Sequence, residues 1–390
     1  MKPGSLLRVA LALLVLAVMA ANIVLAVQGI RAGSRGMADW AGFYLAGRMV
    51  ADGRSAYLYE LAAQVDYQQR LFGMVRSTVP FNHPPFEALV FAPLSLLPFA
   101  QSLYLWALIN VLLLFATAHW LRPLLSAEIP WREAAVWCPA LAFAPIAVAL
   151  MQGQDSVLQL FFFALAFIAL KRNRDALGGG VLALALIKWH LVVPVALILL
   201  LRREVKAITG FAAAAAALML VSIAAAGVDG AMQYPMLLKY TAELLDLPNA
   251  MPNVRGFIAA FSVGETFLRV ATIAISVVVF LLAAVAPRPA EKRGLWFDLD
   301  FGLAITVAAL VGYHVYLHDL TILFLPLILL TSALVEHKRW LGLLVPSLFL
   351  FLPAYLIAFG GAYLGMLAIP VTALAAALWV ERRRAASVPV

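Results

Sequence analysis

Residues 181–201 read VLALALIKWHLVVPVALILLL, an apolar run interrupted at its middle by Lys188, Trp189 and His190. A water-soluble core cannot hide many such runs, but a bilayer can, because about 20 apolar residues in a helix cross its hydrocarbon layer of roughly 30 Å. The rest of the chain is built the same way. Of its 390 residues, 65% are hydrophobic and 12% charged, with a mean hydropathy of +0.97. A soluble domain carries about a quarter charged residues. The pattern therefore predicts an all-α, polytopic membrane protein, with further spans near 6–27, 100–121, 134–150, 156–170, 206–226, 265–286, 296–313, 320–335, 341–360 and 363–380.

The first run follows Lys2 and Arg8. It is too long for a signal-peptide core and lacks a defined cleavage pattern, so it reads as an uncleaved helix. Basic residues cluster between the runs, at Lys171/Arg172/Arg174, Arg202/Arg203/Lys206, Arg288/Lys292/Arg293, Lys338/Arg339 and Arg382/Arg383/Arg384. Placing all of them in the cytoplasm gives one consistent path with both termini inside. The net charge of +8 thus reports topology, and no nucleic-acid partner is implied. Cys138, the one cysteine, lies in an apolar stretch and reads as a small core residue. The expected organisation is a single membrane domain over 1–390: a first helix at 1–27, an outward loop at 28–85, and the remaining bundle from 86 to 390. About 11–13 transmembrane segments fit the runs. Residues 86–98, short and carrying Pro93 and Pro98, are expected to form a re-entrant or tilted half-helix.

The outward segments carry the candidate chemistry. In the first loop, Asp39–Asp52 places Trp40, Phe43, Tyr44, Gly47 and Val50 on one helical face, and Ala56–Phe72 does likewise with Tyr57, Leu61, Val65 and Phe72. Both read as amphipathic helices lying in the membrane interface. Asp39 begins the first of them, as a cap on the helix N-terminus or as an acid held at the membrane surface. His83, before two prolines, is a headgroup contact or a backbone partner at a helix start. The arms flanking Lys188 and His190 are each too short to span, so Lys188 sits at a depth where charge is expensive and function is the default. A buried cation suits a phosphate; the bland alternative is a lysine snorkelling to the headgroups. Gln154 and Asp155 lie in a short polar turn, as sugar contacts or as caps. Asn253 and Arg255 close another loop, with Arg255 a candidate phosphate clamp. His314 and His318 stand four apart, a spacing compatible with a metal, a general base or a sugar contact. No second pair of metal ligands accompanies them, and no metal site or cofactor is assigned.

Taken in order, Asp39-Trp-Ala-Gly-Phe-Tyr-Leu-Ala-Gly47, Tyr57-Leu-Tyr59, His83-Pro-Pro85, Phe91-Ala-Pro-Leu-Ser-Leu-Leu-Pro98, Gln152-Gly-Gln154, Lys188, Pro252-Asn253 with Arg255-Gly256, and the histidine-bearing turn before Leu320–Pro326 resemble glycosyltransferase family 87. The resemblance implies a GT-C-type helical bundle and sugar transfer from a polyprenyl-phosphate donor on the outer face of the cytoplasmic membrane. It also implies that Asp39 is the catalytic base. The chain departs from the family's usual residues at Trp40, Asp155 and Trp189-His190. On this reading a hexose, mannose in the first instance, moves with inversion and without a metal to a hydroxyl of a glycolipid or glycan. Asp39 is the base, with His314 or His318 as helper. Lys188 and Arg255 bind the phosphate, and Tyr44, His83, Gln154, Asp155, His190 and Asn253 contact substrate. The competing reading, a transporter or flippase of a lipid-linked or small polar solute, would use the same buried lysine but lacks a visible repeat architecture.

Overall fold

The computed structural model describes residues 3–37, 39–73, 80–129, 132–244, 246–285, 293–359 and 363–387, and no strand occurs among them. The chain runs through α1 (Pro3–Ala32), α2 (Trp40–Ala51), α3 (Leu61–Phe72), α4 (Pro85–Ser95), α5 (Phe99–Leu121), α6 (Arg132–Ala142), α7 (Ala144–Gln152), α8 (Ser156–Lys171), α9 (Asp175–Leu184) and α10 (Trp189–Leu201). It continues through α11 (Val205–Leu244), α12 (Val254–Ala259), α13 (Glu265–Ala284), α14 (Leu295–Val311), α15 (Phe324–Glu336), α16 (Leu344–Ser347), α17 (Leu352–Phe359) and α18 (Ala368–Ala386). Among the described residues, 7 helical stretches are long and apolar enough to cross a membrane: 12–35, 99–124, 175–201, 205–244, 265–284, 317–336 and 364–386. Shorter apolar helices lie at 85–95, 156–171 and 340–356. The apolar runs outnumber the long helices because several are broken. The run at 134–150 divides where Phe143 turns extended before Pro145, and 340–359 alternates between 3₁₀ and α turns.

The proline-bearing segment after the first loop is the 11-residue α4. At 1.5 Å per residue it covers about half the hydrocarbon thickness, so it cannot cross alone. The first loop differs from the interfacial arrangement expected of it. Helix α2 is buried on nearly every side, through Trp40, Ala41, Phe43, Tyr44, Leu45, Ala46, Gly47 and Met49. Its second face of Ala41, Leu45 and Met49 is as apolar as the first, so protein covers both. A Cβ at Gly47 would overlap the backbone of Phe91, which shows how closely α2 meets α4. In α3, Leu61, Tyr67, Leu71 and Phe72 pack against the aromatic core, and Gln64 and Gln68 are buried with them, while Val65, and Tyr57 ahead of the helix, are exposed. The segment after residue 227, beyond the span expected at 206–226, is helical. A break at Gly227 (φ 73°, ψ 170°) divides α11 and lets the second half run on to Leu244.

Because lipid tails are as apolar as leucine side chains, close packing of small residues holds such helices together. Side chains added at Gly179 and Gly210 would collide with the carbonyls of Ala207 and Ala176, so α9 and α11 touch backbone to backbone. The main core lies among α7, α8, α10, α14 and α15, and a smaller aromatic core joins α2, α4 and α5.

Members of the basic clusters converge at one end, Arg288 and Lys292 lying outside the described residues. Lys171 pairs with Asp298 (2.5 Å), Arg293 with Asp175 (2.6 Å) and Glu204 (3.2 Å), and Arg339 with Glu381. Asp300 accepts from both Arg202 (2.8 Å) and Arg382 (2.5 Å), and both guanidinium groups also donate to the Ala283 carbonyl. Helices α8, α10 and α15 end here, and α9 and α14 begin here. Asp300→Ala leaves two buried guanidinium groups short of a partner, so thermal unfolding in detergent should show a loss of about 3–5 kcal/mol. A change no larger than that from the exposed Lys239→Ala would contradict this.

Candidate active site

At the opposite end, the α9–α10 hairpin breaks at a 3₁₀ turn over 185–188, and Lys188 leaves the helical conformation (φ −120°, ψ 73°). Its side chain is 4% exposed. Nζ lies 2.5 Å from Asp319 Oδ1, 2.9 Å from Asp155 Oδ1 and 3.0 Å from Ser156 Oγ. Of its three N–H groups, two make hydrogen bonds, to Asp319 and Ser156, and Asp155 adds an ion pair. Lys188 neither snorkels nor offers a free cation to a cavity. Burial at this depth has been met by two counter-ions, as the cost of an isolated buried charge requires.

The network extends from both aspartates. Asp319 Oδ2 accepts from the Tyr316 amide (2.8 Å). Asp155 Oδ2 lies 3.9 Å from His83 Nδ1, which is 2.9 Å from Glu87 Oε2. Burial alone would lower the His83 pKa, but the Glu87 carboxylate and then Asp155 more than offset it and raise the pKa above the usual histidine range. The loop carrying His83 is clamped from α3. Gln64 donates to the Leu58 carbonyl (2.8 Å) and the Phe81 carbonyl (3.3 Å) and accepts from the Phe81 amide (2.8 Å), while Tyr59 donates to the His83 carbonyl (2.7 Å). One imidazole nitrogen and two carboxylate oxygens from His83, Glu87 and Asp155 fall within 4.8 Å of one another, near enough to share a cation. The Lys188 ammonium on Asp155 and the His83–Glu87 bond already supply positive charge to those carboxylates.

The hub is the α7–α8 turn. Gly153 takes a left-handed conformation (φ +69°) that a side chain would strain, and a Cβ there would press on Trp40. The turn aims four neighbouring side chains in different directions. Gln152 Oε1 lies 2.9 Å from His318 Nδ1, Gln154 Nε2 donates to Asp39 Oδ2 (2.9 Å), and Asp155 and Ser156 hold Lys188. Asp39 is exposed and precedes α2, yet its side chain makes no capping bond. His318 lies within electrostatic reach of Asp39, Asp155 and Lys188.

A second polar group adjoins the first. Asp246 binds Arg255 Nη1 through Oδ2 (2.6 Å) and His314 Nδ1 through Oδ1 (2.8 Å). The Arg255 guanidinium lies over the Tyr313 ring, 3.9 Å from its centroid. His190 packs edge-on to His314 at 6.2 Å.

Residues 81–317 of the chain, well over half of it, match the model of glycosyltransferase family 87. The chain belongs to glycosyltransferase family 87. No curated protein and no solved structure matches it. Family 87 membership, with several long apolar helices, makes it a membrane glycosyltransferase. The matched stretch contains His83, Asp155, Lys188, Asp246, Arg255 and His314, and it excludes Asp39 and His318.

Most residues singled out in the sequence of this family 87 protein come together, but four arrive in unexpected roles. Tyr44 is apart from the group: its hydroxyl donates to the Leu97 carbonyl (2.9 Å) and its ring packs on Phe99. Asn253 is consumed by structure, accepting from the Gly256 amide (2.9 Å) as the α12 cap and donating to the Gly312 carbonyl (2.7 Å). Arg255, like Lys188, is already paired. The residues missed are Glu87, Ser156, Asp246 and Asp319. For the carboxylates a signal existed, since an acid beside or within an apolar run demands a buried partner. For Ser156 there was none.

Burial would raise the pKa of Asp246, but the hydrogen bond from His314 and the charge of Arg255 hold it below the usual carboxylate range. A depressed carboxyl stabilises the fold fully above its unfolded pKa of about 3.9, and that contribution is lost as pH falls through the folded value. Asp246→Asn should therefore lower the melting temperature at neutral pH and flatten the acid-side fall in stability. Superimposable melting profiles from neutral to acid pH would show that the carboxylate is not so engaged.

Proposed function

We propose that this family 87 protein transfers a hexose, mannose in the first instance, from a polyprenyl-phosphate donor to a hydroxyl of a glycolipid or glycan acceptor. Transfer takes place at the outer face of the cytoplasmic membrane. The observation that carries the reading is the state of Asp39: a carboxylate exposed at the rim, free of any capping bond and steered by Gln154 beside a buried ionic network. The outer-face assignment rests on charge. If the basic end is cytoplasmic, as the positive-inside rule favours, the site at the other end faces out.

In a one-step displacement the acceptor oxygen attacks the anomeric carbon as the bond from that carbon to the phosphate oxygen breaks. The acceptor proton passes to an Asp39 carboxylate oxygen, and the polyprenyl phosphate leaves with the electron pair. The anomeric configuration inverts. The leaving phosphate is stable as an anion, so it needs positive charge rather than a general acid. His83 is placed to give it: Nδ1 is turned to Glu87, its side chain keeps 19% exposure, and its pKa is raised. Lys188 and Arg255 are each already paired with carboxylates, so they hold the network in place and leave the positive charge at the phosphate to His83. Gln154 orients Asp39, and His318 stands beside it as the assisting group.

The test is transfer by purified protein from a polyprenyl-phosphate mannose to candidate acceptors. Removal of a positioned general base typically costs 10²–10⁴-fold in rate. Asp39→Asn should lose about that much with its melting temperature unchanged. Undiminished transfer by Asp39→Asn would remove it as the base, and solute movement in liposomes without transfer would favour a transporter. His83→Gln should also slow transfer, by weakening phosphate stabilisation.

A further inference from the structure

The Asp246 group is not needed to hold the Lys188 network, yet it is built with equal care. Asp246 uses both oxygens, one on Arg255 and one on His314. An imidazole bonded through Nδ1 to a carboxylate is fixed in orientation, with Nε2 left to face outward, and the His314 side chain keeps 35% exposure. Arg255 covers one face of Tyr313, and Tyr313 as a residue is still 43% exposed. The Tyr316 ring packs edge-on against His314 at 4.8 Å. A separate observation points to a ligand: His190 Nε2 is buried beside this group and has no hydrogen-bond partner among the described residues. A buried polar atom left unpaired is costly and needs an explanation.

An exposed aromatic ring stiffened from behind, next to fixed planar groups that can accept and donate, matches the two sides of a pyranose. The sugar's C–H face stacks on the ring, and its hydroxyls meet the imidazoles. We infer that Tyr313, His314 and His190 form a pyranose-binding subsite, organised by Asp246 and Arg255 and distinct from the Asp39 centre. In the transfer reading, on which only this last assignment rests, it holds a sugar of the acceptor. Tyr313 supplies the stacking surface, and His314 Nε2 and His190 Nε2 take hydroxyls. Asp246 is a positioning residue that acts through His314.

Saturation-transfer NMR with methyl α-D-mannopyranoside on the full-length protein in lipid nanodiscs tests this without requiring turnover. Wild type and Asp39→Asn should transfer saturation to the glycoside equally. Tyr313→Ala and His314→Gln should lose most of the effect, and Tyr313→Phe should retain it. Asp246→Asn should reduce the effect and also change the ¹⁵N imidazole shifts of His314, a readout that mere loss of stability would not give. Signal unchanged in folded Tyr313→Ala, signal lost in Asp39→Asn instead, or no signal from wild type would each overturn the subsite. The predicted pattern without transfer from polyprenyl phosphate would remove the donor reading and leave the subsite standing.

Discussion

The ammonium of Lys188 between Asp155 and Asp319 is the interaction on which the half of this protein opposite the basic end depends. It joins three pieces of chain far apart in sequence: the α7–α8 turn, the break between α9 and α10, and the 3₁₀ segment over 317–323. Each piece is locally irregular, which lipid-facing backbone at this depth would not tolerate. Irregular backbone is stable here because charged side chains occupy the same interior and are paired. The arrangement is also intolerant. With either aspartate gone the lysine loses a partner, and with the lysine gone two carboxylates face each other in an apolar surround.

Two ionic assemblies thus sit at opposite ends of one helical bundle, and they differ in kind. At the basic end, arginines and lysines close on carboxylates across helix termini, with Asp300 gripping Arg202 and Arg382. Those pairs tie the helices together. At the other end the network is asymmetric. Its buried part sets Lys188 between two carboxylates, while its rim carries the exposed Asp39 and the partly exposed His83 and His314. Partly engaged groups at the rim of a rigid network are what a transfer reaction needs, since the network fixes their positions without consuming their chemistry.

Much of this was legible in the sequence, and the limits have physical causes. The apolar runs and basic clusters predict the helices and the shared basic end because lipid imposes both rules on composition alone. Lys188 stood out since a lysine between two half-length arms has no cheap explanation. Its partners did not, because counter-ions are chosen by three-dimensional proximity. Asp319 looked like part of a histidine turn and Asp155 like a sugar contact or cap, and both lie against the Lys188 ammonium. Helix α2 misled because helical spacing shows an apolar stripe but not whether protein also covers the opposite face. Gln64 lies off the apolar stripe of its helix, and its amide is the clamp on Phe81, a long-range role that periodicity cannot show.

The central claim is a one-step transfer at the Lys188 network, with Asp39 receiving the proton and phosphate leaving directly. Its stereochemistry is decisive, because a single displacement inverts the anomeric carbon and a covalent glycosyl-enzyme route retains it. The measurement is the anomeric configuration of the product by NMR, made with a polyprenyl-phosphate hexose of defined configuration. The account predicts the anomer opposite to that of the donor. A product with the donor's configuration would contradict it.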